Sequence, residues 1–175
     1  MTMAESMLEE FERELVTTRT FLERVPDVSE KLTWRPHEKS MTAGQLALHI
    51  AEAPAGVVQL SLEDEVPPPD RINRQPANLR EVLDALDRSA VYVRKTLPTI
   101  DDAQMRTPWK LVDAGRTLVS MPRAVFLRSI LLNHWYHHRG QLGVYLRLLG
   151  AAVPSSYGPS GDEGLRPTTA SSIPQ

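Results

Sequence analysis

The sequence predicts an all-α protein built as a four-helix bundle, with a small β-hairpin before the last helix. Three observations carry that expectation. Four segments place apolar residues at alternating steps of three and four, the spacing that lines one face of an α-helix. Proline-bearing connectors punctuate the chain between them, and the last segment carries two histidines four residues apart on its apolar stripe. Such bundles commonly build metal sites from side chains that face their core.

The first helix is expected over 3–25, where Leu8, Phe11, Leu15, Thr18, Leu22 and Val25 keep the three-four alternation. Glu5, Glu9 and Glu10 lie in its N-terminal half and read as a solvated face matched to the helix dipole. Pro26 ends this helix, and a connector runs through Trp34, Pro36 and His37 to Ser40. Thr42 and Gln45 form a T-x-x-Q capping box, so the second helix starts there, with Leu46, His49, Ile50, Ala53, Val57 and Leu60 on its stripe. Pro54 removes one backbone donor from this helix and should kink it just after His49. Positions 63–77, with three consecutive prolines, read as an exposed crossover loop. Asn78 and Glu81 mark the third helix, whose apolar positions are Leu79, Leu83, Leu86, Ala90, Val93 and Leu97. The helical pattern is lost over 99–120, where Asp113-Ala114-Gly115 separates two short runs compatible with strands. The fourth helix is expected from Pro122 to a left-handed cap at Gly150, with the stripe Leu127, Leu131, His134, His138, Leu142, Tyr145 and Leu149.

With 175 residues the chain has the length of one domain, which we place at 1–165, with 166–175 expected to form a flexible tail. The net charge of -2 argues against a general nucleic-acid binder, which needs a marked basic excess. No apolar run approaches the roughly 20 residues of a membrane helix, and the N-terminus lacks the layout of a signal peptide. A cytoplasmic location is therefore expected. Cysteine is absent, which removes disulfides, thiolate ligands and a cysteine nucleophile, so any thiol chemistry must use a thiol from outside.

His134 and His138, at i and i+4, present both imidazoles to one point beside the last helix. Two histidines on one inward stripe must both be desolvated and find partners, and a shared metal ion meets that need. His49 sits at the core-facing edge of the second helix, so His49, His134 and His138 form the expected metal site. Neutral imidazole suits zinc, nickel and other late divalent ions, and three protein ligands leave one coordination position open, as in catalytic sites.

The stretches MTAGQLALHIAEAP, NHWYHHRGQLGVYLRLLG and PSSYGPSGDE together resemble the DinB family of bacterial metal-dependent enzymes. The resemblance runs from Trp34-Arg35-Pro36 to the GPSGDE segment, and HHRGQL is its most specific part. It implies a four-helix bundle, often a homodimer, whose three-histidine ligand set falls on His49, His134 and His138. Relatives in this superfamily include S-transferases and isomerases that use small thiols such as bacillithiol or mycothiol. The resemblance thus implies a divalent metal cofactor, a small-molecule thiol and an electrophilic substrate.

Glu52 and Gln141, each three residues after a ligand histidine, are candidates to orient an imidazole or a bound water. His137 points about 100° away around the helix from His138 and stays off the ligand set, and His37 reads as an exposed loop residue. Arg139 is a candidate partner for Asp162 or Glu163, and Tyr145 is expected in the core. Phe126, Ile130 and Trp135 fall outside the inward stripe and either bury a partner surface, which with the family tendency favours a homodimer, or pack under the hairpin or the tail. The expected function is a metal-dependent enzyme, a thiol S-transferase or hydrolase. The competing class is a non-catalytic metal-binding or stress-response bundle.

Overall fold

The structure, a computed structural model, describes residues 1–69 and 74–164. The expected flexible tail at 166–175 lies outside them. Helix α1 (Met3–Glu23) starts at a closed capping box, in which Thr2 Oγ1 accepts from the Glu5 amide and Glu5 Oε2 from the Thr2 amide. Glu5, read above only as a dipole-matched charge, thus satisfies a free backbone donor, and T-x-x-E is the spacing that signals it. Its buried face comprises Ala4, Phe11, Leu15, Thr18, Phe21 and Leu22. The short α2 (Ser29–Leu32) follows.

Helix α3 (Ala43–Leu60) begins at the expected Thr42–Gln45 box and contains Pro54. Helix α4 (Leu79–Thr96) begins at Asn78, whose Oδ1 accepts from the Glu81 amide at 2.9 Å. Between them the expected exposed loop is corrected in one place. Glu65–Val66 forms strand β1, and Val66 is buried because it pairs with the hairpin that follows later in the chain. Past α4 come a 3-10 turn (Leu97–Thr99) and the short α5 (Asp102–Arg106).

The hairpin joins β2 (Pro108–Asp113) to β3 (Arg116–Pro122) in antiparallel register, and β1 adds to β2 in parallel. Its two turn residues both have positive φ, Ala114 at 45° and Gly115 at 78°, as a tight two-residue hairpin with the right twist requires. Trp109 stacks on Phe126 at 3.8 Å between centroids and donates its indole N–H to Leu60 O, so it fixes the sheet against the end of α3. The buried Arg123 bonds Gln104 O, Thr107 Oγ1 and Asp64 Oδ1, which ties β1, α5 and the last helix together.

The last helix runs without a break through α6 (Arg123–Phe126), a π-helical segment (Leu127–Asn133) and α7 (His134–Leu148). Pro122, expected as its first residue, is its N-cap. Gly150 has φ 73°, and its amide returns to Arg147 O, so the left-handed cap forms where expected. The described residues are mostly helical with a three-stranded sheet, and their helices exceed the four expected because short helices fill the connectors. Helix α3 packs most extensively on α4, and it also packs on α7.

The π segment was not legible as such, and it changes which residues face inward. In a π turn the bonding step is five residues, and Phe126–Leu131 and Leu127–Leu132 are buried pairs at that step. Phe126, expected outside the inward stripe, is therefore buried against the hairpin residue Trp109, Trp135 is buried one ordinary helical turn after Leu131, and Ile130 packs against the same core. Phe126 and Trp135 are thus spent on packing within the chain. No described helix is long and apolar enough to cross a membrane.

The segment after α7 is closed by its own polar side chains. Ser160 Oγ donates to Val153 O and accepts from the amides of Asp162 and Glu163. Asp162 pairs with Arg147 and Glu163 with Arg24, rather than with Arg139 as one reading of the sequence had it. Arg139 turns instead to Glu14 on α1, at 2.6 Å.

Candidate metal centre

His49 comes from the middle of α3, and His134 and His138 lie one turn apart at the start of α7. Their rings stand nearly edge-on to one another, with centroids 5.3 Å apart for His49 and His134, 4.6 Å for His49 and His138, and 4.3 Å for His134 and His138. One ring nitrogen from each lies within 4.8 Å of the other two. Nitrogen ligands about 2.0–2.1 Å from a tetrahedral ion are roughly 3.3 Å apart, and His134 Nε2 and His138 Nε2 stand 2.9 Å apart, close to that spacing.

The electrostatics suit ligands better than isolated core histidines. Burial, with the neighbouring His138 and His134, pushes the pKa of His49 down to about 4. Burial also lowers His134, helped by His138 and His137. His138 is lowered by burial as well, although its bond to Gln141 works the other way. All three are therefore neutral near pH 7, the protonation state a metal ligand needs.

Gln141 Oε1 lies 2.9 Å from His138 Nδ1. A carbonyl oxygen can only accept, so His138 carries its proton on Nδ1 and presents a lone pair at Nε2. That Nε2 stands 2.9 Å from His134 Nε2. His49 Nε2 and His134 Nδ1 are buried without a hydrogen-bond partner, and a buried polar atom left unpaired costs about 1–3 kcal/mol. An ion among the three rings relieves the His49 nitrogen and the close Nε2 pair together. The donor set therefore fits a divalent ion.

The remaining sequence candidates are placed as follows. Glu52 is exposed, and its carboxylate meets Arg74 at 3.0 Å at the surface rather than an imidazole. His137 is exposed, with its ring 5.0 Å from that of His138. His37 is exposed in its loop, where Nδ1 accepts from the Lys39 amide. Tyr145 is buried and donates to Met41 O at 3.2 Å, which ties α7 to the start of α3. A groove of about 520 Å³ lies against another face of α7 at Gly140 and Gly143, and none of the three histidines lines it.

Sequence reasoning gave Trp135 no part in the site, yet its indole N–H donates to Ile50 O beside His49 at 2.8 Å. A signal was present. Pro54 deprives Ile50 O of its helical donor, so some other donor had to be found for it.

The family model described as DinB family matches residues 1–167. Among solved structures, a DinB-like protein from Bacillus cereus is similar at 27% identity with a TM-score of 0.66, covering 87% of this chain and 97% of that one. The DinB-like protein YjoA from Bacillus subtilis shares the fold at a TM-score of 0.58 and 18% identity, covering 82% of this chain and 90% of that one. No curated protein matches the chain. On the extent of the family match, the chain belongs to the DinB family.

Proposed function

We propose that the chain is a cytoplasmic, metal-dependent enzyme, a thiol S-transferase or hydrolase, that holds one zinc or nickel ion through His49, His134 and His138. The observation that carries this reading is the convergence of three neutral, half-buried imidazoles with unpartnered nitrogen atoms among them. No carboxylate joins their cluster among the described residues, and the chain has no cysteine to do so. An ion held there would supply Lewis acidity toward a thiol or a water at the position three ligands leave open. Gln141 keeps the His138 proton on Nδ1 and so fixes the orientation of that ring. The absence of a thiol in the chain leaves the open position to one brought from outside.

The test is to load the protein with zinc or nickel and offer bacillithiol, mycothiol or glutathione with chlorodinitrobenzene, and separately a simple activated ester. Metal-dependent conjugation, or metal-dependent ester cleavage, is the expected result. A metal-saturated protein that accelerates neither reaction overturns the enzymatic reading in favour of a non-catalytic metal-binding protein.

The homodimer implied by the family likeness is part of the same proposal. Its support within the chain is the pair Val144 and Leu148, both exposed and one turn apart on α7. Light scattering at tens of micromolar is expected to give twice the mass of the chain, and the monomer mass would remove the dimer from the reading.

A further inference from the structure

Pro54 has no N–H, so the carbonyl four residues before it, that of Ile50, loses its donor within α3. The neighbouring amide is also drawn away, because the N–H of Ala55 donates to Ser89 Oγ on α4 at 2.9 Å. The Ile50 carbonyl is met from α7, where the Trp135 indole Nε1 donates to it at 2.8 Å. Trp135 is 1% exposed, and its ring stacks on Phe11 with centroids 5.0 Å apart and planes 18° from parallel. One side chain is thereby clamped between α1 and the backbone of α3. Ile50 directly follows His49, and Trp135 directly follows His134. The bond therefore joins the two helices at residues adjacent to one site histidine on each, His49 on α3 and His134 on α7.

We propose that Trp135 is a positioning residue for the three-histidine site, its indole N–H fixing the spacing between His49 on α3 and His134 and His138 on α7. Pro54 is the other half of the device, because it leaves vacant the acceptor that makes this link. The inference rests on the metal-binding reading above. Carbonyls at helix interiors ordinarily bond within their own helix, so an acceptor opened by proline beside one ligand and filled from beside another couples the position of each helix to that of the other. Stacking on Phe11 limits rotation of the indole about its own axis, which keeps the donor aimed at the carbonyl.

The experiment uses the full chain and cobalt(II) as a visible probe, with affinity measured by competition and the stability of metal-free protein by thermal unfolding. Trp135→Phe keeps an aromatic ring and removes the N–H. It is expected to lose stability, to bind cobalt about 10-fold or more weakly, as loss of an outer-shell partner typically does, and to shift the cobalt absorption bands. Adding Pro54→Ala to it restores a helical donor to the Ile50 carbonyl without restoring the link. That double variant is expected to regain stability while its affinity and spectrum stay altered. If both recover together, or if Trp135→Phe binds with wild-type affinity and spectrum, the bond only satisfies a carbonyl and the proposal fails. Should Trp135→Phe not fold, Pro54→Ala alone decides, because its new N–H competes with the indole. Weaker cobalt binding at equal or higher stability supports the link, and unchanged binding overturns it. A wild-type chain that binds no cobalt, zinc or nickel sinks the metal reading first and this inference with it.

Discussion

Replacing His138 by alanine is expected to lower zinc affinity by at least about 100-fold, beyond the usual 10–100-fold cost of losing an outer-shell partner. The substitution removes one of the three converging donors and also frees Gln141, whose oxygen holds the ring. His49→Ala and His134→Ala are expected to do the same, whereas His137→Ala, an exposed neighbour whose ring lies 5.0 Å from that of His138, is expected to change affinity little. Calorimetric titration of the four variants checks this, and the assignment is lost if His137→Ala abolishes binding while His49→Ala leaves it intact. The pH dependence follows from the same geometry. Burial depresses all three imidazoles below their ordinary 6.5, His49 to about 4, so protons compete with the metal only below about pH 6.5. Affinity should hold from pH 7 to about 6.5 and fall from there toward pH 4. The metal-free fold follows the same sign: between those values the unfolded chain binds more protons than the folded one, so its stability falls as the pH drops. A binding midpoint at or above 6.5 would mean that the rings are solvated.

Much of this site was legible because its signals are local. The i and i+4 spacing of His134 and His138, the Thr42–Gln45 box that sets the start of α3, and the stripe position of His49 each depend on a few adjacent residues. Gln141 three residues after His138 belongs to the same class, whereas Glu52 at the same offset from His49 does not behave alike. Arg74, arriving from the crossover segment, pairs with its carboxylate at the surface. No periodicity within α3 announces a partner from elsewhere in the chain. The hairpin turn was readable from Asp113-Ala114-Gly115, but β1 was not, since its two residues form a strand only by pairing with β2 more than forty positions later. Phe126 and Trp135 were misplaced for other reasons. For Phe126 the stripe was drawn on a 3.6-residue period that the π segment from Leu127 to Asn133 shifts, whereas Trp135 lies one turn after Leu131 beside the histidine stripe, which is wider than the one drawn. The identity of the hydrogen-bond acceptor opened by Pro54 was readable, and only the fold could say which donor fills it.

Replacing Arg139 by methionine is expected to destabilise the fold by about 3–5 kcal/mol, the cost of breaking a buried ion pair by removing one partner. The Arg139 side chain is 2% exposed and its Glu14 partner 16%, with Nη1 2.6 Å from Glu14 Oε2. The same guanidinium donates to Thr18 Oγ1 on α1 and to the hydroxyl of Tyr157 in the closing segment, and it lies 5.3 Å and 5.2 Å from the ring centroids of Tyr136 and Tyr157. Methionine preserves much of the packing but leaves the largely covered Glu14 carboxylate beside an apolar side chain, where among the described residues the Tyr157 hydroxyl at 3.1 Å still donates to it. For a chain of this size each kcal/mol moves the melting temperature by about 2–4 °C, so a drop of roughly 6–20 °C is expected. Glu14→Leu together with Arg139→Met should recover part of that loss, because the unpaired carboxylate goes with it. A single-variant loss under about 1 kcal/mol would show the pair to be as weak as a surface one. Arg139 follows His138 by one residue and so points about 100° away around α7, toward α1 and the closing segment. Below its lowered melting temperature, Arg139→Met is therefore expected to bind zinc with wild-type affinity, which separates the strap that holds the last helix in place from the histidines that the helix presents.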